Sequence, residues 1–369
     1  MQRLALDFVR PDMVLARDVY DQDGTIMVAA GARLTDRLIT RLRNREIGSV
    51  FVRNPRIILP EIPDSVQEET RNKARLMLEH AFDVVRRAGK INMSEEEQSI
   101  VHDIVNEATQ DPRSITHLAQ INRHSRDVLS HSVNVALLST VTGLAMGMQL
   151  SPALYDLALA ALLHDIGQLM IPKDLLFRKT QLNADEAAIY REHTNWGFAI
   201  LQQASNLPLF VARVAQEHHE HADGSGYPRQ LTAETLHPFS RIVATVNAYE
   251  KMCTVLSDSK GSESCMAYEA IMAGAGTRFH LDVAKALLSR LPMYPLGTLV
   301  ELTNGFIGIV MSISPALPHR PVLKILGNPD GSTLEAPFTF DLADMENQTL
   351  FVKEILDDAK AAQFISQES

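Results

Sequence analysis

Between residues 65 and 291 nearly every segment spaces its apolar residues as a helix does, and after Pro292 the spacing switches to every second residue. An apolar stripe at helical spacing has to be buried against other helices, so the first stretch predicts an all-α bundle. Helices are expected over 65–87, 94–109, 127–148, 151–169, 184–203, 207–219, 238–253, 264–275 and 281–291. Met77, Leu78, Ala81, Phe82 and Val85 form one such stripe. The period-two stretch predicts strands over 296–302, 305–313, 321–326, 338–340 and 350–355, with a turn at Asn328–Gly331. That pattern reads as a small β-barrel-like module.

The first 55 residues read as a small α+β unit. An extended stretch over 13–20 meets a turn at Asp21–Gly24 that leads into 25–29, as in a hairpin. Thr35 is placed to cap a helix over 36–45, with Leu38, Ile39 and Leu42 at helical spacing and a strand over 49–53 beyond Gly48. Three prolines within 54–64 mark a linker. The expected fold class is therefore multidomain and mainly α. Residues 1–55 form the α+β unit, 56–114 the linker and long helices, 115–291 the central bundle, and 292–369 the β module and tail.

Composition narrows the functions this fold can carry. The formal charge of −10 and the absence of a Lys/Arg block disfavour sequence-independent nucleic-acid binding. Two cysteines, Cys253 and Cys265, are too few for a thiolate zinc site and fit a reducing compartment. The N-terminus lacks a signal-peptide pattern, and the apolar stretch 133–148 is interrupted by Asn134, Ser139, Thr140 and Thr142. A soluble cytoplasmic protein with no membrane span is expected.

Histidine is unevenly distributed: six of 13 fall between His131 and His221. His164-Asp165 ends an apolar helix, His131 lies on the helix before it, His193 on the helix after it, and His218-His219 close a further one. Imidazole and carboxylate together suit borderline divalent ions. Five histidines and one aspartate are enough for two ions, and ions about 3.5–4 Å apart can promote an in-line phosphoryl displacement.

The order His131, His164-Asp165, His193, His218-His219 and then Gly226-Tyr227-Pro228 resembles the HD-GYP family of cyclic di-GMP phosphodiesterases, a branch of the HD hydrolases, over about residues 115–290. The resemblance implies an HD-type helical bundle with His131, His164, Asp165, His193, His218 and His219 as metal ligands. It implies two or three divalent ions, iron or manganese, and Asp165 in the catalytic centre. Asp127 stands one turn before His131, as a further ligand or as a helix-surface carboxylate. Asp223, Gly226, Tyr227 and Pro228 are implied as a wall of the substrate site, with the same loop also able to dock signalling proteins. The helices over 65–87 and 94–109 could pair with a second protomer as a homodimer, or pack on the chain's own bundle.

Three positions depart from the family pattern. Gln168 stands where the family has a lysine facing the scissile phosphate, so it can donate a hydrogen bond but no charge. Asn247 stands where the family has a metal-ligating aspartate, and a neutral carbonyl holds a divalent ion less firmly. Glu250, three residues or about one turn on, could reach the site, but reads more readily as an ordinary helix carboxylate. The stretch 255–265 has no arginine where the family has an Arg-Pro-Tyr-Arg-like phosphate grip, and Lys260 is its only cation. The favoured expectation is metal-dependent hydrolysis of cyclic di-GMP to pGpG or GMP. The alternative is a catalytically weak domain that senses cyclic di-GMP or docks on partners.

Overall fold

The computed structural model describes residues 2–20, 26–45, 47–53, 67–110, 128–176, 178, 181–255, 263–314, 317–357 and 360. The expected turn at Asp21–Gly24, the linker over 54–64, Asp127 and Lys260 lie outside the described residues. In the N-terminal unit, strand β1 (Gln2–Ala5) pairs antiparallel with β4 (Ser49–Val52), and β2 (Val19–Tyr20) with β3 (Ile26–Val28). Helix α1 (Asp36–Asn44) starts where the Thr35 hydroxyl accepts from the Leu38 amide at 3.3 Å. Leu4, Leu15, Leu34, Leu42 and Val52 close a core of their own. The period-two reading missed β1, a strand of four residues that alternates over too short a span to register.

The helical region runs α2 (Glu68–Ala88), α3 (Glu95–Gln110), α4 (Val128–Ala145), α5 (Pro152–Leu163), α6 (Lys173–Leu176), α7 (Ala184–Arg191), α8 (His193–Leu201), α9 (Leu209–Glu217), α10 (Pro238–Val255), α11 (Glu263–Ala273) and α12 (Leu281–Leu288). Helix α4 is the hub, packing on α2, α3, α5, α10 and α12. Its Thr140 and Thr142 hydroxyls donate back to the carbonyls of Ala136 and Leu138, so these polar residues sit in the core with their hydroxyls paired. α4 is the one described helix long and apolar enough to cross a membrane, and 67% of it is buried inside the bundle. Helices α2 and α3 bury their stripe, Met77, Leu78, Val101, Ile104 and Val105 among it, in this chain's own core.

Two expected helices are divided. The segment expected as 151–169 leaves the α-helix at Leu163, and after His164 and Asp165 continues as a 3-10 turn, Ile166–Met170. Gly167 explains the tightening, because a Cβ there would lie 1.9 Å from the His193 carbonyl oxygen. The segment expected as 184–203 divides at Glu192 into α7 and α8, which puts His193 at the start of a new helix.

The C-terminal strands β5 (Leu299–Leu302), β6 (Ile307–Ser314), β7 (Leu317–Gly327), β8 (Thr333–Asp341) and β9 (Val352–Ile355) form one antiparallel sheet in the order β8-β7-β6-β5-β9. This corrects the barrel-like expectation: the end strands β8 and β9 are not paired to each other among the described residues, and the sheet is open. One face supplies Val300, Leu302, Val310, Leu323 and Ile325 to the same core as the helices. A sheet whose apolar face is covered by helices has no need to close on itself.

Candidate metal centre

The site lies where the end of α5, the start of α8, the end of α9 and the middle of α10 meet α4. Asp165 is fully buried at its centre. Its Oδ2 lies 3.2 Å from His164 Nε2 and 3.6 Å from His131 Nε2, and its Oδ1 lies 3.4 Å from His193 Nε2 and 3.3 Å from His218 Nε2. One carboxylate oxygen therefore faces each pair of imidazoles.

The far side of each ring decides what the near side can do. His164, His193 and His218 each turn Nδ1 onto the backbone carbonyl three residues earlier, at Ala161 (2.7 Å), Tyr190 (2.6 Å) and Ala215 (2.9 Å). A carbonyl only accepts, so the proton is on Nδ1 and each Nε2 presents a lone pair inward. His131 Nδ1 does the same against the Glu250 carboxylate. The result is a set of acceptors facing acceptors. His193 Nε2 and His218 Nε2 are 3.4 Å apart, and His131 Nε2 is 2.9 Å from the Asn247 carbonyl oxygen. Among the described residues, neither oxygen of Asp165 nor His164 Nε2 has a hydrogen-bond partner, although all three are buried. Inward lone pairs with no donor between them are costly in a buried site unless a cation bridges them. The donor set fits divalent ions, and outer hydrogen bonds of this kind fix ligand tautomers.

Burial shifts the imidazoles the same way. It holds His164 and His219 below the ordinary histidine pKa and pushes His218 down to about 3, so the rings stay neutral, as ligands must be. Burial opposes the charge on Asp165, but the Lys251 ammonium outweighs it and holds the carboxyl well below its usual value. Glu250 behaves likewise: burial resists its charge, and His131 and Asn134 restore it.

Residues 108–284 match the family model of the HD domain. The centre of this chain is thus similar to the HD domain. Residues 299–364 match the model of a KOW domain associated with HD domains. The chain is 29% identical over 255 residues to a cyclic di-GMP phosphodiesterase of Pseudomonas aeruginosa, covering 67% of this chain and 60% of that one. A cyclic di-GMP phosphodiesterase of Borreliella burgdorferi is 27% identical over 61% of this chain and 59% of its own. A 3'3'-cGAMP-specific phosphodiesterase of Vibrio cholerae is 30% identical over 46% of this chain and 32% of its own. The chain thus spans less than two thirds of these curated relatives. An HDG"Y"P protein from Bdellovibrio bacteriovorus shares the fold, with a TM-score of 0.52 and 16% identity over 78% of this chain and 97% of that one.

The helical domain places the other expected residues as follows. Asn247 sits on α10 with its carbonyl oxygen toward His131. Gln168 is buried on the 3-10 turn after Asp165. Gly226 lies so close to the preceding loop that a Cβ would meet the His221 amide nitrogen at 2.4 Å. Tyr227 stacks on His219 with ring centroids 4.7 Å apart, and the Arg191 guanidinium lies over the Tyr227 ring. Asp223 is exposed and accepts from the Ser225 amide and hydroxyl, which shapes the loop. Buried Glu220 accepts from the amides of Arg229 and Leu231 and secures the loop's far end beyond Pro228.

Sequence reasoning underrated Glu250 and missed Lys251, Asn134 and Arg191. Glu250 is no ordinary helix carboxylate: it takes His131 Nδ1 on one oxygen and Asn134 Nδ2 at 3.1 Å on the other. Asn134 and His131 stand three apart on α4, and Glu250 and Asn247 three apart on α10, so facing pairs at helical spacing carried the signal. Lys251 Nζ lies 3.7 Å from Asp165 Oδ2 and 3.5 Å from His219 Nε2.

Proposed function

We propose that this HD-like domain is a metal-dependent phosphodiesterase that hydrolyses cyclic di-GMP to pGpG or GMP. The observation that carries this reading is the inward lone pair on His131, His164, His193 and His218, around a carboxylate with no hydrogen bond of its own among the described residues. His131, His164 and the Asn247 carbonyl would hold one divalent ion on Asp165 Oδ2. His193 and His218 would hold another on Oδ1, with iron or manganese matching the mixed nitrogen and oxygen donors. Bound ions supply Lewis acidity at the phosphoryl oxygen and an activated water.

The protein's own groups do the remaining work. Asp165 holds the two halves of the centre in register by dividing its oxygens between them. The backbone carbonyls and Glu250 keep every ring in the tautomer that points a lone pair inward. Arg191 and Lys251 offer the charge for substrate phosphates that Gln168 cannot. Gly226 admits the loop close to the site, and Tyr227 braces His219 from the side. Asp127 remains a proposed additional ligand.

The relatives' names support a cyclic dinucleotide as substrate and leave two candidates, cyclic di-GMP and 3'3'-cGAMP. A second reading, a weakly active domain that binds cyclic di-GMP as a sensor, is favoured by the neutral residues at Gln168 and Asn247. The double variant Gln168→Lys/Asn247→Asp separates the two. The enzyme reading expects the native chain to cleave cyclic di-GMP when loaded with Mn2+, with the variant faster. Cleavage by the double variant alone would show the native chain to be catalytically degenerate and favour the sensor reading.

A further inference from the structure

His219 does not follow the rule that the other imidazoles obey. Among the described residues, the Nε2 lone pairs of His131, His164, His193 and His218 have no donor aimed at them from a charged side chain, whereas His219 Nε2 faces the Lys251 ammonium at 3.5 Å. An ammonium has donors only, so this contact commits the His219 lone pair to Lys251. The same ammonium lies 3.7 Å from Asp165 Oδ2, and among the described residues it is the one Lys or Arg paired with that carboxylate. Lys251 thus stands between two metal-capable groups. His219 falls in the cluster of Asp165, His193 and His218, whose ligand atoms all lie within 4.8 Å of one another, so by distance alone it could join a metal shell.

Charge argues the same way. Lys251 places its ammonium 3.7 Å from Asp165 Oδ2 and 3.5 Å from His219 Nε2, between the two groups. With Asn247 neutral, the centre also has one carboxylate fewer than an aspartate there would give. A divalent ion at His219 would sit beside a fixed positive charge with no added negative charge to compensate.

We propose that Lys251 is a built-in cation of the centre, holding the His219 corner against a metal ion so that ions load only on the two sides of Asp165. The inference rests on the metal-centre reading given above. It removes His219 from the ligand set and makes it a positioning residue instead. With Tyr227 stacked behind it, His219 fixes the ammonium beside the place where substrate phosphate would lie. With 31% of its side chain exposed, Lys251 remains within reach of a bound anion.

The test is a metal count on the full chain, stripped with a chelator, reloaded anaerobically with Mn2+, desalted and read by elemental analysis. Lys251→Met removes the charge and keeps the apolar stem, Lys251→Ala does so with less bulk, and Lys251→Arg keeps the charge. Circular dichroism melts confirm that each variant is folded. The expected result is about one more ion per chain in the Met and Ala variants than in the native chain, with Arg at the native count. An equal, non-zero count in all four proteins overturns the role of Lys251 and leaves the metal centre standing. No bound ion in any of them overturns both.

Discussion

Asp165 is the residue on which the site depends. Exchanging it for asparagine keeps the shape and removes the charge that two sets of imidazoles share. Asp165→Asn is expected to cut bound metal at least about tenfold, measured by elemental analysis, while the fold persists. A fully loaded Asp165→Asn protein would show that the ions collect elsewhere. Glu250 acts one step out, through His131 Nδ1. Glu250→Gln should weaken metal binding by about 10- to 100-fold in a titration with Mn2+, the range typical of outer-shell partners. At this scale the sequence was informative about identity and silent about direction. The order of histidines pointed to His131, His164, Asp165, His193, His218 and His219, because metal-capable residue types recur in a recognisable pattern, and the fold brings all six together. Which ring nitrogen faces inward depends on carbonyls three residues back, and those become neighbours only once the helices form.

At the scale of the element, the decisive joints are the two places where long helices were expected and shorter ones occur. The backbone is still helical at His164 and departs at Asp165, so the pair closes α5 and the chain tightens into the 3-10 turn that carries Gly167 and Gln168. Gly167 permits this by lying against the His193 carbonyl. Gly167→Ala should therefore destabilise the fold by about 3 kcal/mol, the upper end for overpacking, read as a lower denaturant midpoint. A change near zero would mean that the two segments separate more easily than their contact implies. Apolar periodicity could not reveal these joints, since apolar residues resume at Ile166, Leu169 and Met170 beyond His164-Asp165, and the break is imposed by backbone contact with another helix. The same limit explains the sheet: period two predicted strands, but whether they close into a barrel depends on what covers their apolar face.

For the whole molecule, the helical bundle and the C-terminal sheet share one core, and the N-terminal unit has its own. Leu323 sits in the sheet at no exposure, within the common core. Leu323→Ala should cost about 2–5 kcal/mol and lower the helical melting transition together with the strand signal. Loss of the strand signal alone would indicate separate cores. The overall charge of −10 also takes on meaning at this scale, since an anionic substrate must find its positive charge locally, from bound ions, Lys251 and Arg191. The most direct measurement is to determine bound metal and cyclic di-GMP cleavage in one anaerobic preparation, before and after a chelator. A phosphodiesterase of the kind proposed carries divalent ions, releases pGpG or GMP, and loses both metal and turnover to the chelator. A fully metal-loaded protein that leaves cyclic di-GMP intact would contradict it.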